Sequence, residues 1–98
     1  MAQVRWTPQA ADDLNAIAEF ISQDSPRYSS LFVLDVLHAV DRLNQFPKSG
    51  RVVPEINDPL IREIILGSYR IIYRVRKDFV EILTVFHGSR LLDPSKLN

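Results

Sequence analysis

The chain has 98 residues, which sets the expectation of a single domain spanning 1–98. Twelve basic and twelve acidic residues cancel to a formal net charge of zero. That balance argues against a general nucleic-acid binder, whose affinity rests on a basic excess. There is no cysteine, so disulfide and thiol chemistry are excluded and a reducing, cytoplasmic setting is expected. Two histidines without cysteine give no zinc pattern, so neither metal nor cofactor is expected. No apolar run approaches the ~20 residues of a membrane span, and MAQVRW lacks the apolar region of a signal peptide.

Residues 3–6, QVRW, read as a short strand. Thr7 followed by Pro8 is a helix start, a hydroxyl cap before a ring at the first helical position. Leu14, Ile17, Ala18 and Ile21 then recur at helical spacing, and the spacing predicts a helix over 8–23. Ser25–Pro26 repeats the start signal. Phe32, Val36, Leu37, Val40 and Leu43 mark the apolar side of a second helix, with Asp35, His38, Asp41 and Arg42 on its polar side. Pro47 disfavours helical geometry in the residue before it, so this helix is expected to end near Phe46. The two helices make an antiparallel hairpin.

Residues 47–60, PKSGRVVPEINDPL, hold three prolines and one glycine and read as a connector, with Gly50–Arg51 a turn bearing an exposed cation. Three strands follow at 61–66, 69–76 and 79–86, joined by short turns at Gly67–Ser68 and Lys77–Asp78 into an antiparallel meander. The order is βααβββ. The fold class is α+β, an N-terminal strand and a helical hairpin packed on an antiparallel sheet. The tail LLDPSKLN reads as loosely held.

Side chains alternate across a strand. On the middle strand, Tyr69, Ile71, Tyr73 and Val75 form the face expected against the helices. Arg70, Ile72, Arg74 and Arg76 form the other. That second face is either a solvated one, with arginine stems covering apolar sheet, or a surface for an anion or a partner. Arg70 is also placed to pair with Glu63 or Glu81 on the neighbouring strands. Charge is uneven along the chain: residues 1–60 carry net −3 and residues 61–98 net +3.

FPKSGRVVPE (46–55), REIILGSYRIIYRV (62–75) and ILTVFHGSR (82–90) together resemble the RelE/ParE superfamily of bacterial toxins. WTPQAADDLNAIAEFI (6–21) resembles its ParE branch. The resemblance implies the βααβββ toxin fold and a toxin encoded beside its antitoxin in a type II toxin–antitoxin module of the plasmid-stabilisation kind. It also implies a cognate ParD-like antitoxin, bound as a heterodimer or larger assembly through an extended or helical segment that orders in a groove along the helical hairpin and the sheet edge. The superfamily divides by activity: RelE-like members cut mRNA in the ribosome, and ParE-like members poison DNA gyrase.

RelE-like nucleases place several lysines and arginines on the strand before Tyr69–Arg70, where this chain has only Arg62. Arg90 falls where those nucleases have an arginine after the last strand. If the chain were a nuclease, His87, Arg90 and Arg62 would be its catalytic candidates. Otherwise none is catalytic, and HGSR (87–90) is a structural corner in which Gly88 permits a tight turn and His87 and Ser89 bond local backbone. A third reading is a toxin fold that keeps only antitoxin binding. The favoured reading is gyrase inhibition by binding, with no membrane and no sequence-specific nucleic-acid contact by this chain. Its partner-binding candidates are Arg70, Arg74, Arg76, Arg90, Leu91 and Leu92. Removal of 91–98 is expected to weaken toxicity more than antitoxin binding.

Overall fold

Both helix starts form as the sequence requires. The Thr7 hydroxyl accepts from the Ala10 N–H, and the Ser25 hydroxyl accepts from the Tyr28 N–H, each just before a proline. The computed structural model describes residues 3–97. In chain order it contains β1 (Gln3–Trp6), α1 (Pro8–Asp24), α2 (Pro26–Asp41), β2 (Arg51–Val52), β3 (Ile61–Leu66), β4 (Tyr69–Val75) and β5 (Phe79–His87). The Ser29 hydroxyl donates to the Ala18 carbonyl and ties the hairpin together. The α-helical part of α2 stops at Asp41, short of Phe46, and tightens into a 3₁₀ turn over Arg42–Asn44. The tighter turn delivers Leu43, which is fully buried, into the core.

Among the described residues the strands form one sheet in the order β1-β5-β4-β3-β2. The predicted meander β3-β4-β5 is antiparallel. The N-terminal strand joins the same sheet, parallel to β5, with Gln3 opposite Phe79 and Trp6 opposite Ile82. The sheet is therefore mixed. No tight turn links β1 to β5, and nothing local constrained its direction. The predicted connector also contributes a strand. Arg51 pairs with Glu63 and Val52 with Arg62, and the fully buried Val53 continues the ladder by donating to the Ile61 carbonyl. A two-residue strand hemmed in by Pro47, Pro54 and Pro59 leaves no periodicity to read.

The alternation predicted for β4 holds. Ile71, Tyr73 and Val75 pack beneath the helices against Leu14, Val36, Val40 and Leu43. The opposite face is covered over Arg70 and Ile72 and open to solvent only toward Arg74 and Arg76. Ile72 lies there in a second core with Val53, Ile61, Leu83 and Leu97. Leu97 belongs to a final 3₁₀ turn (Pro94–Leu97), and its carbonyl accepts from Arg74 Nη2 at 2.9 Å. The tail expected to be loose is thus folded onto the back of the sheet, because that face exposes too much apolar surface to stand uncovered.

Two details fix the geometry around the site. Ile72 faces Thr84 while Tyr73 faces Ile82, so β5 carries an extra residue in a bulge. The Asp13 carboxylate of α1 accepts from the Thr84 hydroxyl and the Val85 N–H at that bulge. Gly50 is wedged where a Cβ would come within 2.6 Å of the Glu63 carbonyl and of the Tyr73 hydroxyl. Its N–H donates to that hydroxyl at 2.9 Å. Burial pushes the Tyr73 phenol up from its ordinary pKa, so the group stays a hydroxyl here.

Candidate functional site

Arg70 stands opposite Ile65 on β3, with its side chain almost wholly covered. Its Nε donates to Glu63 Oε1 at 2.6 Å, and its two terminal nitrogens grip both oxygens of Glu55 at 2.7 and 2.9 Å. The Glu63 side chain is entirely buried, and its other oxygen accepts from Arg51 Nε. Arg51, Glu63, Arg70 and Glu55 therefore form a chain of four alternating charges that nails the 50–60 loop to β3 and β4. A buried carboxylate survives only when paired in this way. The predicted pairing of Arg70 with Glu63 is present. Arg70 as an open partner-binding cation is not, since two carboxylates already match its charge.

The hydrogen bonds from Arg70, helped by a backbone bond and the nearby charges, hold the Glu55 carboxyl down at about 2, with partial burial opposing them. The same bonds, Glu55 first, raise the Arg70 guanidinium above its usual range. A carboxylate with a depressed folded pKa contributes stability above its ordinary value, and that stability is lost as pH falls through the folded one. The melting temperature is accordingly expected to drop as pH is lowered from 4.5 toward about 2. Glu55→Gln should flatten that drop, as a melting series against pH would record. An identical acid response in the variant would rule out the pairing as its source.

The other predicted arginines are also engaged. Arg62 donates to three backbone carbonyls, those of Pro59, Gly50 and Lys48, and so pins the same loop. Arg74 and Arg76 both lie beside Glu81, at 3.9 and 3.4 Å. Of the two candidate leucines, Leu92 leans on the second core, and Leu91 is 96% exposed.

Only the corner after β5 presents an open cation among the predicted residues. The Gly88 N–H donates to the Ser68 carbonyl at 2.7 Å, and the Arg90 N–H to the His87 carbonyl at 3.0 Å. Gly88 does not adopt a positive φ, in contrast to Gly67 in the β3–β4 turn at φ 58°. Its lack of a side chain serves space instead, because a Cβ would stand 3.2 Å from the Ser68 carbonyl. His87 Nδ1 accepts from the Ser89 N–H at 3.1 Å and lies 2.6 Å from the Ser89 hydroxyl. A backbone N–H can only donate, so Nδ1 holds no proton in this arrangement and its lone pair is taken. The ring meets Tyr69 edge-on at 5.2 Å, and Tyr69 rests on Phe32 at 4.9 Å. Tyr69, predicted as core, is only half-buried, between these two rings. No group among the described residues is bonded to the Arg90 guanidinium. It borders a cleft of about 500 Å³ with His87, Tyr69, Ile17 and the exposed Phe20 of α1.

Two further surfaces lie along the helical hairpin and the sheet edge, the region where the antitoxin groove is expected. The outer side of α2, expected to be polar, also exposes Tyr28, Leu31 and Leu34, and Leu37, expected on the apolar side, is exposed as well. Beside it, β2 covers only Arg62 and Glu63 of β3. That leaves a groove of about 530 Å³ framed by Phe46, Ile65, Arg42 and Arg51 along the uncovered part of the edge.

Residues 4–92 match the family model described as the ParE toxin of the type II toxin–antitoxin system parDE. Toxin RelE2 of Caulobacter vibrioides is 36% identical over 92 residues, which span 93% of this chain and all of that protein. Putative toxin Y4kP of Sinorhizobium fredii is 39% identical over 90 residues, 90% of each chain. Among solved structures, the chromosomal ParDE system from P. aeruginosa superposes with a TM-score of 0.73 at 27% identity, covering 89% of this chain and 96% of that one. The RelBE2 toxin–antitoxin complex from Mycobacterium tuberculosis shares the fold, with a TM-score of 0.61 at 24% identity over 88% of this chain and 96% of that one.

Proposed function

The chain belongs to the ParE toxin family of type II toxin–antitoxin systems, and from that premise we propose that it arrests growth by binding DNA gyrase and is neutralised by a ParD-like antitoxin. The 98 residues act as one toxin domain in the cytoplasm. The observation that carries this reading is the commitment of the basic side chains. Metal-free RNA cleavage needs a base for the 2′-hydroxyl, cations for the phosphate and an acid for the leaving oxygen, and acid–base placement alone is worth roughly 10²–10⁴-fold. Arg62 is turned onto three carbonyls, Arg70 is held between two glutamates, and the His87 Nδ1 lone pair is occupied. Arg90 alone remains, and a lone guanidinium supplies no base. An inhibitor that traps an enzyme–DNA intermediate needs none of these groups, only a surface that fits.

The antitoxin half of the proposal is supported by the solved relatives, which are toxin–antitoxin systems. It is supported equally by the exposed apolar side chains of α2 and the uncovered β3 edge. Such surfaces invite aggregation unless a partner covers them, and a segment that orders on binding suits both. The ribonuclease reading keeps one point in its favour, the free Arg90 at the mouth of a cleft beside His87.

Supercoiling by purified gyrase is expected to be inhibited by the free protein and restored by antitoxin. Induced expression should bring an SOS response and filamentation. Ribosome-bound mRNA should stay uncut, and His87→Ala and Arg90→Ala should leave that background unchanged. Unimpaired supercoiling in excess toxin, with codon-specific cuts that vanish in either variant, would replace the gyrase reading with the nuclease one.

A further inference from the structure

The cleft between α1 and the corner after β5 has apolar walls and unspent donors. Its α1 side offers the half-buried Ile17 and Phe20, which is 67% exposed. Tyr69, held between the rings of Phe32 and His87, borders it from the sheet. The Arg90 guanidinium, unbonded among the described residues, can only donate. The Ser89 N–H occupies the lone pair of His87 Nδ1, so the proton of the neutral ring is on Nε2. The carboxylate on the wall, Asp13, is already satisfied, because it accepts from the Gln9 amide, the Thr84 hydroxyl and the Val85 N–H. An anion entering the cleft therefore meets donors that nothing in the described chain satisfies.

The surrounding charge narrows the kind of anion. One guanidinium matches one negative charge. The neighbouring helix α1 carries Asp12, Asp13, Glu19 and Asp24 and no lysine or arginine, and all but Asp13 are exposed. Arg27 at the start of α2 and Arg51 on β2 do not line the cleft. A nucleic-acid strand bears a phosphate at every nucleotide and would lay several of them along this acidic helix. A single carboxylate beside an apolar side chain reaches the guanidinium and the rings without that repulsion.

We propose that this cleft seats a segment of the target protein in which an acidic residue adjoins a large apolar one, with the carboxylate held by Arg90 and the apolar side chain packed against Ile17, Phe20 and Tyr69. The inference rests on the gyrase reading above and adds the chemistry of the contact, which is made to protein and not to DNA. A guanidinium grips a carboxylate through two parallel, charge-assisted hydrogen bonds, and an arginine beside aromatic rings is where the energy of a protein contact concentrates. The antitoxin has a different seat. The outer side of α2 and the groove at the β3 edge, which need a cover, share no residue with the lining of this cleft.

The test is equilibrium binding of the purified protein to three separate partners: gyrase without DNA, a DNA duplex without gyrase, and the antitoxin encoded beside it. Wild type is compared with Arg90→Glu, Arg90→Lys and Phe20→Ser. Both positions are exposed, and unchanged melting curves confirm that each variant is folded. Wild type should bind gyrase without DNA and should not bind the duplex. Arg90→Glu should weaken gyrase binding about 100-fold and Phe20→Ser about tenfold. Arg90→Lys should fall between wild type and Arg90→Glu, since an ammonium keeps the charge and loses the fork. All three variants should bind antitoxin as wild type does. Gyrase binding that none of them alters would overturn this inference and leave the gyrase reading standing. Binding of wild type to the duplex alone, lost in Arg90→Glu, would give the cleft to a phosphate backbone and also overturn it. Equal losses toward gyrase and antitoxin would give the cleft to the antitoxin and overturn it too. No binding of gyrase by wild type, with or without DNA, would remove both the inference and the reading beneath it.

Discussion

Arg70→Ala is expected to cost about 3–5 kcal/mol, the typical penalty for stripping one partner from a buried ion pair. That is a large share of the roughly 5–15 kcal/mol by which a domain is stable. Glu63 has no exposed side-chain surface, and Arg51, itself mostly exposed, would remain as its one ionic partner. Glu55 would lose both hydrogen bonds from Arg70, and the loop from Gly50 to Pro59 its anchor on β4. Arg70→Lys should recover only part of the loss. One guanidinium here donates in three directions to two carboxylates, and an ammonium on a flexible stem cannot reproduce that fork. Glu81→Ala is the control, since its pairs with Arg74 and Arg76 are partly exposed and worth about 0–1 kcal/mol. Denaturant midpoints at constant slope would measure all three. A loss below about 1 kcal/mol in Arg70→Ala would mean that the network does not hold the loop. If the chain inhibits gyrase as proposed, loss of that inhibition in Arg70→Ala should follow its unfolding, and a variant that stays folded yet inactive would return Arg70 to the contact surface.

The helices were legible because their signals are local. Thr7–Pro8 and Ser25–Pro26 combine a hydroxyl cap with a ring at the first turn, and both fall where the helices begin. The strands of the meander were legible because short turns fix their neighbours. What lies behind a strand is not local. The alternation in YRIIYRV says that Arg70, Ile72 and Arg74 share a face. It does not say that Leu97, many residues later, closes a core over that face. Nor does the sequence show that Arg70 finds Glu55 across a proline-rich loop, so arginines that looked like a cationic surface turn out to be matched from within. At α2, the strongest stripe, Phe32 through Leu43, was read as the buried side, and Asp35, His38 and Asp41 suggested a polar reverse. Tyr28, Leu31 and Leu34 fall among those polar positions, and Leu37, expected on the buried side, is exposed, because periodicity ranks the faces of a helix without fixing how much of each is covered. The corner HGSR bonds its own backbone, through the Ser89 N–H and His87, while Gly88 serves close approach and not a left-handed turn.

Removing residues 91–98 is expected to open the back of the sheet before it says anything about the target. Leu97 is 4% exposed within the cluster of Val53, Ile61, Ile72 and Leu83, and Leu92 packs against the same group. Truncating one buried leucine to alanine costs about 2–5 kcal/mol. Deletion also removes the carbonyl that Arg74 binds and bares the whole apolar face. Toxicity and antitoxin binding should therefore fall together, instead of separating as a loose tail would allow. Separation is expected from single changes in the exposed part of the tail. Leu91 and the Arg90 guanidinium make no packing or bonding contribution to the described fold. Leu91→Ser and Arg90→Ala should melt within about 0.5 kcal/mol of wild type. If this end of the molecule meets gyrase, those two variants should inhibit supercoiling less while still binding antitoxin, and Leu97→Ala should lose both in proportion to its instability. Thermal melts run beside supercoiling assays distinguish the cases. A chain lacking 91–98 that melts with the wild type would show that the second core closes without its tail.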